Sequence, residues 1–248
     1  MNQEQFLKAL ADKGIQLSNK QLKQFELYYE TLIEWNEKFQ TYAELLVEWN
    51  EKMNLTAITN KEDVYLKHFY DSLTISFDYI LNNQSLCDIG AGAGFPSIPL
   101  KIVYPDLKIT IVDSLTKRIT FLNHLIKVLE LNNVKAISAR AEEYAIDHRE
   151  SFDIVTARAV ARLNILDELC LPLVKLDGDF ITLKGLKAKE ELSEAKNGIE
   201  KLGGMVMKEV DFTLTDENDH RSNIFIHKVK NTPKTYPRSF GKIKKKPL

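Results

Sequence analysis

The segment Cys87-Asp88-Ile89-Gly90-Ala91-Gly92-Ala93-Gly94-Phe95 reads as the end of a strand, a tight turn and the entry to a helix. An apolar run from Ser85 to Ile89 leads straight into three alternating glycines, and a helical pattern follows. Glycines permit such a turn because they tolerate positive φ and let a ligand approach the bare backbone. The spacing argues against a dinucleotide fingerprint. G-x-G-x-x-G needs its third glycine at position 95, where this chain has Phe95.

A second acidic signal follows at a telling distance. Ile109-Thr110-Ile111-Val112 reads as another strand, and it ends at Asp113, 19 residues beyond Gly94. A carboxylate there can accept the hydroxyls of a ribose. The plainer reading is an ordinary strand–helix turn with Asp113 capping the next helix. Either feature alone leaves the two readings level; together they favour a nucleoside cofactor. In its D-x-G-x-G-x-G spacing the chain resembles S-adenosylmethionine (SAM) methyltransferases, whose ligand has no pyrophosphate to seat.

At 248 residues the chain can hold one α/β domain with an extension. No apolar stretch reaches the roughly 20 residues that span a bilayer. Met1-Asn2-Gln3-Glu4-Gln5 has neither the basic nor the apolar part of a secretory signal. Cys87 and Cys170 sit in apolar patterns, as reduced core residues of a cytoplasmic protein do. The net charge of −1 hides an asymmetry: eight Lys or Arg and no acid lie between His227 and Leu248. The remaining body holds 26 basic against 35 acidic residues. An acidic body with a basic tail fits a protein that meets a polyanion through one limited surface. The alternative is a solvated, disordered end.

The organisation predicted is an N-terminal helical region over 1–82, a sheet domain over 83–230 and a basic tail over 231–248. Within the first, Tyr28-Tyr-Glu-Thr-Leu-Ile-Glu-Trp-Asn-Glu-Lys38 recurs as Tyr42-Ala-Glu-Leu-Leu-Val-Glu-Trp-Asn-Glu-Lys52. The offset of 14 is two heptads, so an apolar seam continues through Phe25, Tyr28, Leu32, Trp35, Phe39, Tyr42, Leu46, Trp49 and Met53. One helix over 19–53 is expected, protruding and pairing with a second chain as a homodimer; a break near Gln40-Thr41 is the alternative. Asn60 begins another helix, on which His68 and Asp71 share a face, so that the carboxylate can orient the imidazole. Strands are predicted at 85–89, 107–112, 134–138, 152–157, 179–184, 206–213 and 223–229, with helices at 95–104, 115–131, 162–173 and 187–202. The fold class is therefore α/β, a doubly wound, mostly parallel seven-stranded sheet with one reversed strand and a helical extension.

Ligands of such sheets sit beyond the carboxyl ends of the parallel strands. Four ends are chemically loaded: Asp88 to Gly90, Asp113-Ser114, Arg140-Ala141-Glu142, and Arg158. Glu142 can accept from an adenine amino group, or simply favour a helix N-terminus. Lys117 and Arg118 oppose the dipole of the helix they begin, a penalty that a nearby anion would remove. No N-P-P-Y segment, no Pro-Cys pair at the fourth strand and no metal-ligand spacing occurs. A base acceptor would then need little activation, as guanine N7 does, and the protein's task would be orientation and exclusion of water.

Six segments together resemble one family: Trp49 to Thr56, Tyr65 to Ser72, Asp88 to Pro96, Val112 to Arg118, Arg140 to Glu142 and Thr156 to Arg162. The chain is similar over almost its whole length to the bacterial ribosomal RNA small-subunit methyltransferase G family, also called glucose-inhibited division protein B. The resemblance implies a SAM-dependent methyltransferase acting on N7 of a guanine in 16S ribosomal RNA, as naked RNA or in an assembling small subunit. It implies a cofactor site at the glycine turn (Asp88, Gly90, Gly92, Gly94, Phe95), with Asp113-Ser114-Leu115 by the ribose and Ala141-Glu142 by the adenine. Arg158 would border the transfer pocket, touching the cofactor as well, and with His68 and Asp71 would form the catalytic set. Asn54 and Lys184 would stand on the guanine side, joined by Lys117 and Arg118. Two departures stand out: residues 28–41 look inserted, and Ser239 to Pro247 lacks a second proline–glycine element. A small-molecule SAM methyltransferase, or a non-catalytic RNA- or partner-binding protein on the same fold, are the alternatives.

Overall fold

The computed structural model describes residues 1–45, 55–214 and 219–248. The helical extension consists of α1 (Gln3–Ala11), α2 (Asn19–Leu45), α3 (Lys61–Val64), a π-helical turn (Tyr65–Tyr70), α4 (Asp71–Leu73) and α5 (Ile75–Asp78). The alternating part follows as β1 (Ser85–Ile89), α6 (Ser97–Val103), β2 (Lys108–Asp113), α7 (Thr116–Val128), β3 (Val134–Ser138), α8 (Ala141–Asp147) and β4 (Phe152–Arg158). It continues through α9 (Leu163–Cys170), β5 (Val174–Lys184), α10 (Ala188–Lys201), β6 (Gly204–Thr213) and β7 (His220–Lys228), and α11 (Phe240–Lys245) lies in the tail.

The seven strands form one sheet in the order β3-β2-β1-β4-β5-β7-β6. β1 to β5 are parallel, and β7 runs antiparallel to both of its neighbours, as the missing helix between the last two strands predicts. Successive strand residues point to opposite faces, and both faces are covered. Leu86, Ile109, Ile111 and Ile154 join a core with α1, α2, α6 and α7. Cys87, Ile89, Val112 and Val155 join one with α8, α9, α10 and Ile243 of α11. Both cysteines are buried thiols.

Local signals set the helix starts. The Asn2 side chain accepts from the Gln5 amide while the Gln5 side chain accepts from the Asn2 amide, a reciprocal cap. Ser18 and Gln21 repeat the device at α2. The sequence-based elements need correction in places, and β7 begins at His220 rather than 223. β5 begins at Val174 rather than 179, because a left-handed Asp177 (φ 62°) shifts its register against β4 without ending the strand. Short α8 and α11 were not expected.

The repeat also reads differently in three dimensions. Its first copy is not an outside addition: Tyr28 and Leu32 are fully buried, and the Asn36 side chain accepts from the Leu55 amide at 3.0 Å. Trp35 meets the Phe121 ring edge-on at 5.8 Å. Residues 28–39 thus belong to the body, against the reading of 28–41 as an insertion. α2 runs through Gln40-Thr41 without the alternative break and is described to Leu45. The rest of the second copy, with the predicted helix end at 53, lies outside the described residues.

Candidate active site

At the carboxyl ends of β1, β2 and β3 the chain encloses a cavity of about 450 Å³. Gly90, Asp113, Ser114, Ala141 and Glu142 line it, as the loaded strand ends predict. So do Arg140, from the third loaded end, Arg118, expected on the substrate side, and Phe240, which was not singled out as a ligand contact. The Asp113 carboxylate organises the floor: Oδ2 accepts from the Gly92 amide (3.2 Å) and Oδ1 from the Leu115 amide (2.9 Å). Arg118 pairs with Oδ2 at 3.3 Å. The Leu115 contact is a turn closed two residues on, just ahead of α7, and not the helix cap of the plainer reading: Leu115 itself is the N-cap, and no side chain caps the helix.

The glycines of the turn divide by role. All have positive φ, but a Cβ at Gly92 would meet nothing within 4 Å, so its side is open, although Gly90 and not Gly92 lines the cavity. At Gly94 a Cβ would fall 2.7 Å from Ile98 and 2.9 Å from the Tyr28 hydroxyl, which itself donates to the Ala93 carbonyl at 2.5 Å. Gly94 is bare because the helical extension packs there. Asp88 also stands beneath the cavity instead of lining it. Its Oδ2 accepts from the Ser97 amide at 3.1 Å, its Oδ1 has no partner, and burial pushes its carboxyl up to about 7. Leu115 contributes its amide to Asp113 and likewise stands outside the cavity.

Phe95 is not a cavity wall either. Its ring is buried and stacks on His68 at 4.5 Å and on Tyr28 at 5.4 Å, with the Arg158 guanidinium 5.0 Å from its centroid. It serves as the floor on which a second site is assembled.

That second site is a cavity of about 400 Å³ lined by Lys67, His68, Asp71, Arg158, Lys184 and Arg221, among others. Arg158, at the end of β4, interlocks them. Its Nη1 donates to Asp71 Oδ2 (2.8 Å) and to the Lys67 carbonyl (3.1 Å), and its Nη2 lies 3.1 Å from His68 Nδ1. A guanidinium has no lone pair to offer, so Nδ1 must accept. The proton of neutral His68 then sits on Nε2, which donates to Thr56 Oγ1 at 2.8 Å. Burial and the adjacent Arg158 charge lower the imidazole to about 3. The expected His68–Asp71 contact is corrected: Arg158 stands between them, and the carboxylate does not orient the ring. Burial pushes the Asp71 carboxyl up, while Arg158 and Arg221 (Nε 3.3 Å from Oδ1) pull it back. His68 lies within the π-helical turn, a local widening frequent at functional sites.

Lys184 lines this cavity and is held by the Ala161 carbonyl (2.7 Å) and Glu191 (2.9 Å). Arg158, expected on both sides, lines only this one. Lys117 is exposed on α7 and lines neither cavity. Asn54 lies outside the described residues. Sequence reasoning missed Arg221, whose partner is distant in the chain, and Ala159. Ala159 lines both cavities and holds a left-handed backbone (φ 57°), a strained conformation for a residue with a Cβ. The two spaces meet at that residue. Among the described residues no group of His, Cys, Asp and Glu could hold a metal ion, and no helix is long and apolar enough to cross a membrane.

Comparison with known proteins agrees with this layout. A solved structure titled as a SAM dependent methyltransferase from Aquifex aeolicus superposes with a TM-score of 0.53 at 16% identity, covering 68% of this chain and 94% of that one, which shows the fold. The ribosomal RNA small subunit methyltransferase G of Oceanobacillus iheyensis is 56% identical over the full length of both chains. That of Bacillus cytotoxicus is 55% identical, covering all of this chain and 99% of the relative. The family model described as GidB, rRNA small subunit methyltransferase G, matches residues 36–222, and the chain belongs to that family.

Proposed function

We propose that this protein transfers a methyl group from SAM to N7 of one guanine in 16S ribosomal RNA. The observation that carries the reading is the meeting of two cavities at Ala159, one shaped for a nucleoside and the other lined by cationic side chains. Family membership supplies the ribosomal substrate.

The residues present fit the cofactor. The cavity of about 450 Å³ falls in the range of small-molecule sites. Gly90 brings bare backbone to its edge, and Asp113 for the ribose and Glu142 with Ala141 for the adenine line it as well. A carboxylate offers about four acceptor positions, of which Gly92, Leu115 and Arg118 use three. Both ribose hydroxyls are accommodated once Arg118, the outermost of the three donors, swings aside. The chemistry that SAM supplies is an electrophilic methyl group on a sulfonium.

The second cavity suits an acceptor that keeps its own lone pair. Both nitrogens of His68 are engaged and its proton affinity is low, so it serves as a fixed wall and not as a base. Asp71 is tied to two arginines. Guanine N7 needs no deprotonation, and Arg158 retains N–H groups with which to meet the O6 edge. The work of these residues is to hold the base in line and exclude water. Six cations of the tail (Lys230, Lys234, Lys242, Lys244, Lys245, Lys246) remain exposed for phosphate contacts.

Labelled SAM and 16S RNA lacking its modifications test the reading. The product should be cleavable at one guanine by reduction and aniline; methylation of a small molecule with no such cleavage would replace it. A homodimer through the second copy of the repeat is a separate reading. It is favoured by the burial of the first copy's Tyr28 and Leu32 on the body, which leaves Tyr42, Leu46, Trp49 and Met53 to continue the seam in sequence. A monomeric mass by light scattering would remove it.

A further inference from the structure

The basic tail has an inner face, and that face is part of the nucleoside cavity. Arg149 donates to the carbonyls of Thr232 and Tyr236, which fastens the chain after β7. Arg238 then grips Glu168 of α9: its backbone amide donates at 2.7 Å, and its Nη2 and Nε reach the carboxylate at 2.6 and 2.9 Å. Glu168 is fully buried, and an ion so placed is costly without its partner. The tail is thus bound to the body by a charge that needs it.

α11 follows at once. Ile243 is fully buried against the core that also holds α9 and α10. Phe240, three residues earlier and on the same helical face, lines the nucleoside cavity. The Arg140 guanidinium lies over its ring at 4.9 Å, and Arg140 Nε donates to Glu142 at 2.7 Å. Phe240, Arg140 and Glu142 therefore form one connected wall with Ala141, at the end assigned to the adenine. Lys242, Lys244 and Lys245 remain exposed on the same helix.

We propose that Phe240 contacts the nucleobase of the cofactor, so that the C-terminal helix completes the cofactor site as well as presenting cations outward. This rests on the SAM reading above. An aromatic face against a purine gives apolar contact and stacking that an aliphatic or absent side chain would not. Of the eight cations between His227 and Leu248, Lys228 at the end of β7 and Arg238 of the tail are spent inside the protein: Lys228 is fully buried and donates to the Leu171 carbonyl at 2.5 Å. The tail is therefore not the solvated, disordered end of the alternative reading.

The test is calorimetric binding of S-adenosylhomocysteine to the full chain, with thermal unfolding as a folding control. Phe240→Ala should weaken binding about tenfold with little change in melting temperature, and Phe240→Leu should fall between. The triple variant Lys242→Gln, Lys244→Gln, Lys245→Gln should bind as the wild type does. Hydrogen exchange of the 239–245 amides in the wild type should slow when the ligand is added. Unchanged affinity in Phe240→Ala, with no added protection of those amides, would overturn the proposal while leaving the cofactor reading intact. A wild-type chain that binds neither SAM nor S-adenosylhomocysteine would overturn the cofactor reading itself, and this one with it.

Discussion

The two cavities that meet at Ala159 are built in opposite ways. The nucleoside cavity is lined mostly from the ends of β1, β2 and β3 and the turns just after them, by Gly90, Asp113-Ser114 and Ala139 to Glu142, each close in the chain to the strand that positions it. The second cavity is made of long charged side chains brought from the π-helical turn, β4, β5 and β7, and they interlock through Arg158. A change in the first should act through occupied space or one lost hydrogen bond. A change in the second should spread, because each partner it leaves behind is buried and polar.

The largest effect is expected at the interlock. Arg158→Ala leaves Asp71 and His68 without a shared donor, and should cut turnover at least about 100-fold while costing about 3 kcal/mol of stability. The stability cost arises because Asp71 is buried. Arg158→Lys should rescue little, because an ammonium cannot reproduce the fork that spans three acceptors. Turnover and chemical denaturation on the same preparations check both. A variant that loses activity with full stability would mean that the second cavity is not a coupled unit.

Gly92→Val and Gly94→Val should separate the two kinds of glycine. The first should abolish cofactor binding in calorimetry with a modest stability loss, since the added side chain enters open space at φ +60°. The second should lower stability more, because it drives into Ile98 and Tyr28. Equal behaviour would erase the distinction between open-sided and protein-facing glycines.

Asp113→Ala should weaken the cofactor by about 1–3 kcal/mol, through lost hydroxyl contacts and a loosened turn. Unchanged affinity would remove Asp113 from the ribose position.

The last comparison is a pH dependence owed to His68. Its imidazole is lowered from 6.5 to about 3 in the folded chain, so below pH 6.5 the unfolded chain takes up a proton that the folded one refuses. The associated stability is complete above pH 6.5 and is lost as pH falls toward 3, by up to about 1.4 kcal/mol per pH unit. Asp88 and Asp167, pushed up to about 7 and about 8 by burial, act in the opposite direction. The measurable quantity is therefore the difference between wild type and His68→Gln, which should narrow as pH falls from 6 to 4. A His68 ring that protonates near pH 6 by NMR would contradict the locked tautomer.

Legibility in the sequence follows the same division. Ser85 to Gly94, Asp113 and Glu142 could be read because strand periodicity, glycine conformation and strand-end position are local properties. His68, Asp71 and Arg158 were suggested by resemblance, but the pattern on one helix misassigned their contacts: the i, i+3 pair is bridged by an arginine 90 positions along the chain from His68. Phe95, put at the cofactor by resemblance, becomes a buried platform once the π-helical turn is laid over it.

By itself, then, the sequence determined the alternating sheet, the reversed strand and a turn made for a nucleoside, since each depends on residues within one strand, turn or helix of each other. Only the tertiary structure decided that Tyr28 props the glycine turn from 65 residues away, that Arg221 reaches Asp71, and that Phe240 of the tail closes the nucleoside cavity. The physical reason is desolvation. A hydroxyl, an ion pair or an aromatic wall gains its role when packing removes water from around it, and packing joins segments that no local pattern connects.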